Sequence, residues 1–294
     1  MTYDTIDIHP HVISTDTERY PRAPLGGHQS TWSEERPVSF EQLLKDMDEA
    51  GVSKAAIVQA STCYGHDNSY VIDAAAAHPD RFTAVCSVDV LAPDANERIE
   101  SWMRRGMSGL RLFTTGSTLP GQATWFRDER TYPTWKFAEE IGLPVCMQMT
   151  QDGITDLRRV IEHFPNIRIV LDHLARPVLD NGAPMLGASA LFSLAEFSGV
   201  YLKLTVRAFE ALAKAGIPGT DFFPLLLEKF GAGRIAWGSN HPASAGGLKA
   251  LKAKAEIGLS MLSDHDRASI FRRTAQTIYP VLADASATRS VENA

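Results

Sequence analysis

Thr5-Ile6-Asp7-Ile8-His9-Pro10-His11 is a short apolar run that ends in two imidazoles. In an extended segment, residues i and i+2 project to the same side, so His9 and His11 face one point. Working outward, seven more β-type runs recur: Lys54–Gln59, Phe82–Val88, Gly109–Phe113, Pro144–Met149, Ile167–Leu171, Val200–Leu204 and Arg234–Trp237. With Thr5–Ile8 they make eight. They are rich in Val and Ile rather than strictly alternating, as in parallel strands buried on both faces.

Apolar residues at helical spacing predict helices between these runs, over Phe40–Ala50, Asn68–His78, Ala95–Arg105, Thr131–Ile141, Thr155–His163, Pro184–Phe197, Phe209–Ala215 and Thr220–Phe230. Gly51, Gly142, Gly216 and Gly231 follow four of them as stop signals. Two closing helices are expected over Gly246–Leu262 and Asp264–Leu282, the second with Asp264 as N-cap. The polar tail Ala283–Ala294 reads as disordered. Eight strand–helix alternations predict a single-domain α/β protein, a (β/α)8 TIM barrel with its core over about residues 5–282. A doubly wound sheet would need a Gly-rich phosphate turn after the first strand, and His-Pro-His stands there instead. The irregular stretches Ile13–Ser39 and Thr114–Arg130 both follow strands. They are expected to form lid segments over the C-terminal mouth.

Of 294 residues, 44% are hydrophobic and 22% charged, enough for a large core. The formal net charge of -6 provides no basic field for nucleic acid or an anionic membrane. An anionic small ligand would therefore rest on a few placed cations. Cys63, Cys86 and Cys146 build neither a disulfide framework nor a CxxC zinc site and read as buried, reduced thiols. With no signal-peptide pattern and no apolar run of roughly 18–20 residues, the expected location is cytoplasmic. A homo-oligomer is compatible with this composition.

In a barrel, chemistry sits where strands end. The sixth run leads into Asp172-His173-Leu174-Ala175-Arg176, and the eighth into Gly238-Ser239-Asn240-His241-Pro242, with an amide where a catalytic carboxylate would be expected. Arg111, Arg176, Arg207 and Lys203 fall within or just after strands. Such cations are rarely buried unpaired, so they need anionic company. Asp172, Asp67 and Asp89 are structural candidates, above all for Lys203; for Arg111 and Arg176 a bidentate grip on a substrate carboxylate or sulfonate is favoured. After the second run, Ser61, Tyr64 and His66 are candidates for hydrogen bonds to substrate, while Asp67 or Asn68 caps the next helix. The absence of Gly-x-Ser-x-Gly argues against a serine esterase.

Taken in order, IDIHPH, VQASTCYGHDN, GLRLF, VLDHLARP, YLKLT and IAWGSNHP resemble the amidohydrolase superfamily, specifically its branch of small lactone hydrolases acting on pyrone dicarboxylates, muconolactones and sugar lactones. The resemblance covers about residues 5 to 282. It implies that His9, His11, His173 and Asn240 occupy the places of two strand-one histidines, a middle-strand histidine and a strand-eight aspartate. In the superfamily these surround a divalent metal or a metal-free equivalent. On that reading His9, His11 and His173 hold one ion, zinc by default or manganese, or polarise a lactone carbonyl directly. The arginines, with His241 at the strand-eight end, contact a small anionic lactone. Asn240 departs from the pattern, because an amide neither accepts a proton near neutral pH nor brings charge to a cation. Three readings stay open: a substitution that traps substrate, another base such as His173 or His241, or lost hydrolysis. Non-oxidative decarboxylation of an aromatic or muconate-type acid, and silent binding of dicarboxylates, are the competing functions.

Overall fold

A computed structural model describes residues 4–119, 121–179 and 187–284. Eight strands run parallel in chain order around one sheet: β1 (Thr5–Asp7), β2 (Val52–Val58), β3 (Phe82–Ser87), β4 (Met107–Phe113), β5 (Val145–Gln148), β6 (Ile169–Leu171), β7 (Val200–Leu204) and β8 (Ile235–Trp237). Each bound lies within two residues of its sequence-based expectation. At the β8–β1 seam, Ile8 N–H donates to the Trp237 carbonyl at 3.3 Å. Asp7 Oδ1 accepts the amides of His9 and Ser239 at 2.9 and 2.8 Å, tying the two strand ends together. The protein is a (β/α)8 barrel.

The interior is layered by the two-residue period of the strands. Ile6, Ala56, Val85, Cys146, Val170 and Ala236 form a dry lower cluster with Ile278 and Tyr279 from the C-terminal segment. Gly109 leaves space for that tyrosine, since a Cβ there would come within 2.9 Å of its ring. Two residues further along β4, β5, β6 and β7 stand Arg111, Gln148, Asp172 and Lys203, all buried. The barrel is thus apolar below and polar above.

Helices cover the outside, including Phe40–Ala50 with Gly51 at φ 65°, and Val206–Ala215 with Gly216 at φ 67°. Glycine enters this left-handed region without the Cβ penalty of other residues. The Pro184–Phe197 expectation falls partly on 184–186, outside the described residues; beyond them the chain makes short helical turns at Ser189–Ser193 and Leu194–Glu196. The closing helix is not continuous to Leu282. It runs through Asp264–Ala268, a wider π turn at Ser269–Arg273 and Thr274–Ile278, and breaks at Tyr279 because Pro280 follows. Its N-cap is Ser263, not Asp264: the Ser263 hydroxyl accepts the Asp266 amide at 3.1 Å. In the tail, Asp284 is tied to Arg272 and Lys54, and residues 285–294 lie outside the described region. Cys63, Cys86 and Cys146 are free and buried. No helix of the described residues is long and apolar enough to cross a membrane.

Candidate active site

The strand ends surround a cleft of about 480 Å³ at the barrel mouth. His11 after β1, Ser61 after β2, Arg111 in β4, His173 and Arg176 after β6, Arg207 after β7 and Asn240 after β8 all line it, as the strand-end rule predicts. Both expected lid segments take part. Trp32 stacks near the His11 ring with centroids 5.3 Å apart, and Gly116 and Ser117 contribute from the second segment. Arg36 anchors the first lid segment to the β8 end through the Pro242 carbonyl at 3.2 Å. Trp125, by contrast, walls a neighbouring cavity.

Beneath the cleft lies a buried ionic cluster. Asp172 Oδ2 accepts from Arg111 Nε at 3.0 Å, and its Oδ1 lies 3.0 Å from Lys203 Nζ. Burial alone would push the Asp172 carboxyl up, but Lys203, His9 and Arg111 together hold it well below the usual carboxylate range. His9 is enclosed by the same groups. Its Nδ1 lies 3.2 Å from Lys203 Nζ and 3.4 Å from Asp172 Oδ1, while its Nε2 lies 3.4 Å from Arg111 Nη2. Burial lowers its pKa to about 3 against the pull of Asp172, with Lys203 and Arg111 adding to the fall. Gly238 permits this packing, since a Cβ there would come within 2.6 Å of the His9 Cβ.

Two other imidazoles reach the cleft itself. His11 Nδ1 donates to the Val58 carbonyl at 2.8 Å, which leaves Nε2 with the lone pair. His173 Nδ1 bonds Thr205 Oγ1 at 2.8 Å. Burial, and then the neighbouring His9, push both well below the ordinary histidine value, so both are neutral at pH 7.

The β6 end is locally strained. His173, Leu174, Ala175 and Arg176 have φ of 56°, 57°, 56° and 50°, a left-handed turn made without glycine and closed by Arg176 N–H to the His173 carbonyl at 3.0 Å. Each such residue costs roughly 1–2 kcal/mol. Full burial of Leu174 and Ala175 holds the turn in place. Its effect is to aim His173 and Arg176 into the same cleft.

The guanidinium groups of Arg176 and Arg207 have no ion-pair or hydrogen-bond partner among the described residues. Arg176 Nε is buried and unpartnered, and burial together with the nearby Arg207 lowers its pKa to about 10. Burial likewise lowers Arg207. Ser61 Oγ is also buried and unpartnered beside them. Asp172 acts on Arg176 and Glu210 on Arg207 without forming an ion pair, and two guanidiniums in one cleft with no paired carboxylate among the described residues call for an anionic guest.

Other expectations require correction. Lys203 is sealed from the cleft and spent on Asp172, so it makes no substrate contact. Arg111 reaches the cleft, but its guanidinium is spent on Asp172 and on the Gln59 carbonyl at 3.1 Å, and is not a free clamp. Tyr64 points away, its hydroxyl accepting from the Ser14 amide at 2.8 Å and from Arg22 Nη1 at 2.5 Å. His66 bonds Ser87 Oγ at 3.0 Å and faces other cavities. His241 pairs with Asp46 at 3.0 Å on the Phe40–Ala50 helix, outside the cleft lining. Asp67, rather than Asn68, caps Ser69 at 3.0 Å; the Asn68 side chain bridges to the Ser87 backbone. Asn240 sits at φ 59°, a region asparagine tolerates well, with its amide nitrogen donating to Ser244 Oγ at 2.8 Å. Two contributors escaped sequence reasoning. Gln148 lines the cleft 3.4 Å from Arg111 Nη2, and Thr205 orients His173; strand position was the only signal for either.

The amidohydrolase family model matches residues 6–281. The chain belongs to the amidohydrolase family. A curated relative, the L-fucono-1,5-lactonase of Burkholderia ambifaria, is 26% identical over 210 residues, covering 71% of this chain and 70% of that protein. Among solved structures, a Pseudomonas putida protein taken to be a 2-pyrone-4,6-dicarboxylic acid hydrolase superposes with a TM-score of 0.77 at 22% identity, covering 97% of this chain and 100% of that one. A Burkholderia multivorans amidohydrolase with bound zinc gives a TM-score of 0.74 at 19% identity, covering 94% and 99%. At these identities the two structures establish the fold alone.

The zinc of that neighbour does not fit the residues of this family member. His9 and His11 are edge-on with centroids 5.0 Å apart, and His9 and His173 are 4.9 Å apart, so the imidazoles do gather. Both nitrogens of His9, however, face cations, Lys203 on one side and Arg111 on the other. The one carboxylate in the cluster is committed to those cations, and the β8 position carries an amide. A divalent ion there would meet like charge without a balancing carboxylate. Among the described residues, no group of three or more His, Cys, Asp or Glu side chains is disposed to hold a metal. His9, His11 and His173 therefore do not form the expected zinc or manganese cradle.

Proposed function

We propose that this amidohydrolase hydrolyses the ring ester of a small lactone bearing a carboxylate or sulfonate. The observation that carries the reading is the pair Arg176 and Arg207, whose guanidiniums have no ion-pair partner among the described residues, beside neutral His11 and His173 in one cleft of a protein with net charge -6. The lactonase name of the Burkholderia ambifaria relative supports the bond type.

In this mechanism the substrate anion rests on Arg176 and Arg207, which places the ring between His11 and His173. The Thr205 hydroxyl donates to His173 Nδ1, so Nε2–H points at the lactone carbonyl and stabilises the oxyanion as it forms. Water adds to the carbonyl carbon while His11 Nε2, held as an acceptor by the Val58 carbonyl, takes its proton. The tetrahedral intermediate collapses with cleavage of the ring C–O bond, and the leaving oxygen receives that proton. The product is a hydroxy acid, released as a carboxylate with one net proton. Asn240 hydrogen-bonds within this site without titrating.

A pH-indicator screen of carboxylated, sulfonated and neutral lactones, run with and without chelator, tests the reading. Acid release from the anionic lactones, undiminished by chelator, is expected. Carbon dioxide release from an aromatic acid with no lactone opening would transfer the site to decarboxylation, and tight binding without turnover would make it a silent receptor.

A further inference from the structure

The clamp arginines have a second face. His173, Arg176 and Arg207 also border an adjoining cavity that is partly open to solvent. Away from those three residues the described side chains that wall it are apolar: Leu174, Leu179, Ala208, Ala211 and Phe222. Ala208 and Ala211 lie one turn apart on the Val206–Ala215 helix, and their small side chains leave the space open above Phe222, which is itself buried. Charge sits at the junction with the main cleft, polar groups lie on the cleft side, and hydrocarbon lines the far side.

We propose that this cavity is a specificity annex for an apolar alkyl or aryl substituent carried next to the substrate's acidic group, so that the preferred substrate is an apolar-substituted ring acid rather than a polyhydroxylated sugar lactone. The annex deepens the lactonase reading, on which only the identity of the broken bond rests. A group seated there leaves the acid between Arg176 and Arg207 and keeps the ring in the barrel mouth beside His173. A sugar lactone would turn hydroxyls toward Leu174, Ala211 and Phe222, side chains that offer no hydrogen bond.

Recognition is tested without turnover, by calorimetric titration of the whole protein with benzoate and with biphenyl-2-carboxylate, which carries an aryl group beside its carboxylate. Biphenyl-2-carboxylate is expected to bind about tenfold tighter or more, the scale for burying one aromatic side chain. Ala211→Phe, or the milder Ala211→Leu if the first is poorly folded, should abolish the difference and leave benzoate affinity unchanged. Equal affinity of the two acids for the wild type, or a preference that survives filling of the annex, would overturn the proposal, as would failure of both acids to bind. The same variants are then assayed on a small carboxylated lactone. The expected binding pattern without lactone opening refutes the lactonase reading alone, and lactone opening with a flat binding preference refutes the annex alone.

Discussion

Replacing Arg176 with methionine keeps the aliphatic stem and removes the charge, and should move stability and activity in opposite directions. In the free protein the Arg176 pKa falls from the ordinary guanidinium range to about 10, first through burial and then through Arg207. A base with a depressed folded-state pKa weighs against folding at every pH where both states are charged, so the penalty is fully present below about pH 10 and disappears only where the unfolded guanidinium also loses its proton. At about 1.36 kcal/mol per pH unit the difference amounts to about 3 kcal/mol, which partial exposure reduces to about 1–2 kcal/mol. Arg176→Met should therefore raise Tm by roughly 2–4 °C at neutral pH. It should also lower kcat/KM on an anionic lactone by about 2–4 kcal/mol, the scale for losing a charged clamp, while a neutral lactone loses far less. Calorimetry and steady-state kinetics on one preparation measure both. A lower Tm with equal losses on charged and neutral lactones would show Arg176 to be structural and refute the argument.

His173→Gln should lower kcat by about 10²–10³ with little change in KM, because it removes an interaction strengthened only in the transition state; a change in KM alone would assign His173 to ground-state binding. His11 and His173 are held well below the ordinary histidine value, so kcat/KM should stay flat as the pH falls through 6.5, and an inflection there would show an exposed, ordinary imidazole. On the alkaline side, KM for an anionic lactone should rise as the pH passes about 10 and Arg176 loses its proton, with no such rise in Arg176→Met. Gly238→Ala places a Cβ within 2.6 Å of the His9 Cβ and should destabilise the fold by about 1–3 kcal/mol in denaturant titration; an unchanged midpoint would mean the β8–β1 seam yields freely.

Reading the chain from its residues succeeded where the signal was periodic or local. Short buried strands announce themselves by composition, and the His9–His11 spacing makes both rings project to one side whatever surrounds them. Asn240 at the β8 end, and its incapacity as a base, were equally plain from residue type and position. Pairings between distant strands were not legible. His241 meets Asp46 across 195 positions, and Arg111 and Lys203 converge on Asp172 from separate strands, so no local rule could tell a free clamp from a spent one.

By itself, then, the sequence determined the barrel, the gathering of imidazoles at its mouth and the supply of cations near them, because each follows from backbone periods and side-chain chemistry that act over a few residues. Only the tertiary structure decided which cations are free. Asp172 pairs with both Arg111 and Lys203 in the buried layer, while the left-handed turn after β6 leaves Arg176 near Arg207 with neither guanidinium in an ion pair among the described residues. The physical reason is that charge compensation in a low-dielectric interior depends on distances of a few ångströms between groups far apart in the chain, and the closure of the barrel sets those distances.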